Sequence, residues 1–115
     1  MAIQRLRRPQ DFAMCYRHGR VARGQYTVVH ARSNGCRETR LGFSVSKKVG
    51  NAVTRNRVKR RLREVTRSLS ERLLSGYDVV ITARVVARDA EFRDLSQGLE
   101  NVLARVGVLA TSQKR

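Results

Sequence analysis

The chain has 115 residues, with 25 Lys or Arg against 9 Asp or Glu and a formal charge of +16 at pH 7. A field of that sign repels its own compact state unless a polyanion offsets it, and a nucleic acid is the commonest such partner. No apolar run approaches the ~20 residues that span a bilayer, and the isolated Cys15 and Cys36 argue against a disulfide framework or a zinc site.

Met1 to Pro9 is basic and leads into no apolar segment resembling a secretion signal, so a cytoplasmic protein is expected. Pro9 suits a first helical turn, Phe12 and Tyr16 follow at i and i+4, and Gly19 supplies a stop, which predicts a short helix over about 9–18. The β-rich run QYTVVHAR, residues 25–32, reads as a strand, and Ser33, Asn34 and Gly35 as the turn after it. In LGFSVS, residues 41–46, Leu41, Phe43 and Val45 alternate with Gly42, Ser44 and Ser46. That is a half-buried strand whose small-residue face leaves room for something to approach.

Gly50 and Asn51 end the extended segment, and Asn51 or Thr54 can cap a basic helix that runs to about Leu74, with Gly76 closing it. Val79, Val80 and Ile81 are apolar on both faces, so Tyr77 to Ala83 reads as a buried strand. Asp89 can cap a last helix in which Phe92, Leu95, Leu99, Val102 and Val106 recur at helical spacing, and the tail TSQKR should fray. The order is helix, two strands, basic helix, strand, helix. Strands 41–46 and 77–83 flank a helix and should be parallel neighbours or near neighbours in one sheet. The fold class is α+β, an α/β two-layer sandwich in a single domain over residues 1–115.

The basic helix lies within KKVGNAVTRNRVKRRLRE, residues 47–64, and carries the strongest functional signal. At about 100° per residue, Val58, Leu62, Val65 and Leu69 fall on one narrow stripe, while Asn56, Lys59, Arg60, Arg63 and Arg67 gather opposite. Residues 1–67 hold 18 basic and 3 acidic residues against 7 and 6 in the remainder, so the binding surface should come from the first 67. Arg suits a phosphate backbone held in fixed geometry, because its planar fork bonds two oxygens at once. Asn56 adds a neutral donor and acceptor able to read a base edge or a 2′-hydroxyl. Aromatic rings beside a basic groove, as Phe12 and Tyr16 would provide, suit single-stranded RNA.

Signals for protein-borne catalysis are missing. The chain has neither a GxxxxGK[ST] phosphate loop nor HExxH ligand spacing. His18 and His30 have no evident partners for metal or acid/base work and are read as structural or surface residues.

The segment SVSKKVGNAVTRNRVKRRLRE, residues 44–64, closely resembles the RNR signature of the protein subunit of bacterial ribonuclease P. A Phe-containing N-terminal helix ending in His-Gly, the chain length, the high positive charge and the element order resemble that family too. The resemblance implies an α/β sandwich with a left-handed βαβ crossover, against the usual right-handed preference. It implies a protein that assists a catalytic RNA, the P RNA, in removing the 5′ leader of precursor tRNA, with the RNA and its Mg²⁺ ions doing the chemistry. Neither a catalytic side chain, a protein-held metal nor a protein partner is implied. Arg55, Asn56, Arg57, Lys59, Arg60, Arg61, Arg63 and Arg67 would lie against P RNA. A cleft between the first helix and the sheet would hold the leader, with Phe12, Tyr16 and Lys48 at matching positions. Some relatives present an aromatic near Val29; here the position is aliphatic, and its neighbour Tyr26 falls on the other face by strand alternation. The alternative is an architectural RNA-binding protein such as a ribosomal protein, which would share the charge but not the signature string.

Overall fold

The computed structural model describes residues 3–110, and the predicted frayed tail TSQKR lies outside them. Five strands and three helices follow in the order β1 (Ile3–Arg5), α1 (Pro9–His18), β2 (Arg20–Arg23), β3 (Thr27–Ser33), β4 (Thr39–Ser44), α2 (Ala52–Ser68), β5 (Tyr77–Ala83) and α3 (Phe92–Val106). The sheet order is β1-β4-β5-β3-β2. β4 runs parallel to both β1 and β5, while β3 is antiparallel to both β5 and β2. The expected βαβ unit is therefore β4, α2 and β5, with its two strands directly paired.

β5 is central because its sequence can be buried on both sides. Val79 and Ile81 face one way and join Val29, Ala31 and Leu41 under Val58, Leu62 and Val65 of α2 and Leu95, Leu99 and Val102 of α3. Val80 faces the other way and packs with Leu6, Cys15 and Phe12. The body is thus a sheet backed by α2 and α3, with α1 laid across part of the second face. Gly19 ends α1 as expected, but with extended dihedrals. Its hydrogen side chain is needed for proximity instead: a Cβ there would stand 2.5 Å from the Cys15 carbonyl oxygen and 2.9 Å from that of Ala31.

Several boundaries differ from the sequence reading. β1 and β2 have no counterpart in it, since IQR and RVAR show no apolar alternation and become strands only by pairing with β4 and β3. β3 and β4 each sit about two residues from their predicted limits. The basic helix ends at Ser68 rather than near Leu74, and a 3₁₀ turn over Ser70–Arg72 follows. Leu69 and Leu73 remain buried, so the apolar spacing continues after the helix has stopped. Near the stop, the Thr66 and Ser68 hydroxyls donate back to the carbonyls of Arg63 and Val65 at 2.9 and 2.7 Å, the local competition that makes these residues poor helix interiors.

Asn51 is the cap of α2, its Oδ1 accepting the Thr54 N–H at 2.9 Å. Asp89, by contrast, does not cap α3. It belongs to a 3₁₀ turn over Val85–Asp89, and α3 starts after Glu91 with no side-chain cap. That turn is held by Arg88, which donates to the Val49 carbonyl at 3.1 Å and accepts from Arg57 at 3.3 Å.

Leu62 is fully buried and Val53, on the same helix, is 78% exposed. In urea unfolding Leu62→Ala should cost about 2–5 kcal/mol, and Val53→Ala should stay within about 0.5 kcal/mol.

Candidate nucleic-acid interface

Burial of the apolar stripe sets the rotation of α2 and turns its cations outward. Asn56, Arg57, Arg60 and Arg67 are exposed, and Arg55, Lys59, Arg61 and Arg63 are half-buried. These seven cations have no ion pair among the described residues. They are not equally free. Arg55 donates to the Gly50 carbonyl at 2.9 Å, Arg57 to that of Arg88, and Arg61 lies 5.9 Å from the Phe92 ring centre. Lys59, Arg60 and Arg67 keep their full donor sets.

On the second face of the sheet α1 covers only part of the area. Phe12 rests on Gly42, where an added Cβ would come within 2.6 Å of the ring. The small-residue face of the predicted strand therefore receives a side chain of the protein's own. Tyr16 is 45% exposed and meets His30 edge-on, with ring centres 4.9 Å apart. Phe12 also borders a groove of about 320 Å³ together with Arg5, Arg7, Lys59 and Arg63. Aromatic and cationic residues far apart in sequence thus share one wall. Lys48 does not border that groove; it stands exposed on the turn after β4, its N–H bonded to Ser46 Oγ at 3.3 Å.

β3 contributes differently from the sequence reading. Val29 is fully buried toward α2 and α3. Tyr26 precedes the strand and packs on that same core, beside Gly98, so alternation does not carry it to the other face. The ring β3 offers beside Tyr16 is His30. Its Nδ1 and the Thr82 hydroxyl oxygen are buried without partners among the described residues. Burial, reinforced by Arg23, pushes the His30 pKa below 6.5.

Asp78 fixes α1 to the sheet. Its carboxylate is fully buried and accepts from Arg40 Nε at 2.7 Å, from Arg40 Nη2 at 2.6 Å and from Asn34 at 2.9 Å. The same Arg40 reaches Asp11 of α1 at 3.5 Å, and the bond to Asp78 raises the Arg40 pKa. Beside it the Cys15 thiol is buried and faces the Asp78 carbonyl at 3.5 Å; burial pushes its pKa up to about 11, which leaves it a poor nucleophile.

Arg5, Arg7, Arg40 and Asp78 are residues of this region that the sequence reading does not include. An Asp inside an otherwise apolar strand was the one available signal, since a buried carboxylate requires a cation. Arg5 and Arg7 carried none.

A family model described as Ribonuclease P matches residues 2–107. The chain is 39% identical to the ribonuclease P protein component of Clostridioides difficile, with 90% of this chain and 91% of that one covered. It is 41% identical to the component from Symbiobacterium thermophilum, covering 91% and 92%. Among solved structures, it resembles the RNase P protein of Staphylococcus aureus with a TM-score of 0.85 at 35% identity, covering 91% and 96% of the two chains. For the RNase P protein of Thermotoga maritima the TM-score is 0.81 at 33% identity, covering 89% and 96%.

Because His30 binds its proton less readily when folded, stability should be full above pH 6.5 and decline as pH falls below that value toward the folded pKa. Urea titrations over that range should show the decline, and His30→Gln should flatten it.

Proposed function

This chain belongs to the ribonuclease P protein family, components of the endoribonuclease that matures tRNA 5′ ends, and on that footing we propose that it binds P RNA and the precursor's leader. The reading rests on one observation: an α2 face with no ion pairs among the described residues shares a groove with Phe12 of α1. Arg60, Arg67 and their neighbours on α2 grip the phosphates of P RNA, and Asn56 offers a directional contact to a base edge or 2′-hydroxyl. Phe12 and Tyr16 give the leader flat surfaces on which bases stack with little regard to sequence, as a processor of many transcripts requires. Lys48 lies on the turn between β4 and α2, where its charge can reach a passing phosphate.

The RNA does the cutting in this proposal. In the same proposal Mg²⁺ is bound mainly by the RNA, and the buried carboxylate of Asp78 serves the fold, held by Arg40 and Asn34. The protein works without a protein partner, in the cytoplasm. A purely architectural role, as in a ribosomal protein, gains nothing from the family or the fold.

Addition of the protein to P RNA at low Mg²⁺ should raise the rate of precursor tRNA cleavage, and absence of stimulation in an assembled reaction would overturn the proposal. Phe12→Ala should weaken binding of precursor relative to mature tRNA by roughly 1–3 kcal/mol, one stacked base, while sparing P RNA affinity. Equal losses for both tRNAs would return Phe12 to a packing role.

A further inference from the structure

Between β1 and α2 lies a cavity of about 240 Å³, bordered by Arg5 of β1, Leu41 and Phe43 of β4, and Arg63, Thr66 and Arg67 of α2. Its border carries three cations and, among the described residues, no acidic side chain. None of the three is ion-paired among those residues either. The floor is apolar, since Leu41 is buried and the half-buried Phe43 packs on the main core. The Arg63 guanidinium carbon stands 5.6 Å from the Phe43 ring centre. Its Nε–H is buried with no acceptor among the described residues, which costs free energy, while its terminal nitrogens make no side-chain ion pair among those residues and remain to be paired.

A fitting ligand is anionic at the rim, flat and apolar at the floor, and supplies hydrogen-bond acceptors. A free phosphate would use the cations and leave the aromatic floor bare. An apolar peptide would desolvate three guanidinium groups with nothing to pair them. A nucleotide meets all the demands. At about 240 Å³ the cavity falls below the ~300 Å³ at which drug-sized pockets begin, so it suits one base rather than a stacked run.

We infer that this groove holds a single unstacked nucleotide of P RNA, with the base against Phe43 and Arg63 and the phosphates on Arg5 and Arg67. The inference rests on the reading of α2 as the helix that meets P RNA. It commits to P RNA over the leader because Leu41 and Phe43 face the α2 side of β4, whereas Gly42 carries Phe12 on the other. The two grooves meet at Arg5, Phe43 and Arg63, so the nucleotide sits where ribozyme and substrate approach each other.

P RNA affinity across a salt series, with the folded full-length chain and thermal melting as a fold control, tests this with Arg5→Ala, Phe43→Leu and, for comparison, Arg60→Ala. Arg5→Ala should reduce the log-log slope by about 0.7 to 0.9, one phosphate contact. Phe43→Leu, which keeps the floor apolar, should weaken binding roughly tenfold with the slope unchanged. Ultraviolet irradiation of the wild-type complex should leave a nucleotide on the peptide from Leu41 to Lys47. Full affinity for Arg5→Ala and Phe43→Leu beside a loss for Arg60→Ala overturns the groove alone. Full affinity for all three overturns the P RNA reading of α2 and the groove with it. A loss confined to precursor tRNA binding overturns the assignment to P RNA. Should Phe43→Leu melt early, Arg5→Ala on the edge strand decides the matter.

Discussion

The seating of Val58, Leu62 and Val65 against the sheet governs how this protein can be used. Each is fully buried, and burying an aliphatic side chain of that size contributes about 1.5–3 kcal/mol, so a rotation of α2 that exposed all three would cost several kcal/mol. The helix therefore has one rotational setting. That setting turns Arg60 and Arg67 to solvent and directs Arg61 and Arg63 over the aromatic rings of Phe92 and Phe43. Affinity for a polyanion is in this sense a by-product of packing. The core chooses the face, and the face holds cations because the sequence put them out of phase with the apolar stripe.

A second constraint acts across the sheet. Asp78 is buried in the central strand, and an unpaired carboxylate there would be intolerable. Arg40 from the neighbouring strand pairs with it through two nitrogens and reaches on to Asp11 in α1. One guanidinium thus links β4, β5 and the helix that carries Phe12 and Tyr16. With α1 fixed over only part of that face, the half-buried His30 and Thr82 lie on the rest of it, each keeping one buried polar atom without a partner among the described residues. Unsatisfied buried polar atoms cost free energy, and the fold carries that cost on this face.

Charge ties these parts together. A formal +16 on 115 residues is more than the folded chain neutralises by itself, and on α2 the cations stay without acidic partners among the described residues. Binding RNA relieves this self-repulsion and releases counterions. Stability and affinity should therefore both depend on salt, in opposite directions: screening eases the free protein and weakens the complex.

Where structure follows from neighbours in sequence, the chain could be read directly. The span of α1, the Asn51 cap, the buried run of β5, the helical spacing of α3 and the split faces of α2 all depend on local periodicity and capping, and all are found. Signals failed where a distant partner decides. β1 and β2 are strands because β4 and β3 offer them free edges, and His30 faces Tyr16 while Tyr26 turns to α3 because the strand begins at Thr27. The apolar spacing overruns the end of α2, because Leu69 and Leu73 stay apolar and buried after the helix has given way to a 3₁₀ turn. By itself the sequence determined that a cationic helix face and an aromatic pair exist, since 3.6-residue periodicity is written in neighbouring residues. Only the tertiary structure decided that Phe12, Lys59, Arg63 and the unforeseen Arg5 share a border, because that adjacency comes from strand pairing across long stretches of chain, which local periodicity does not encode.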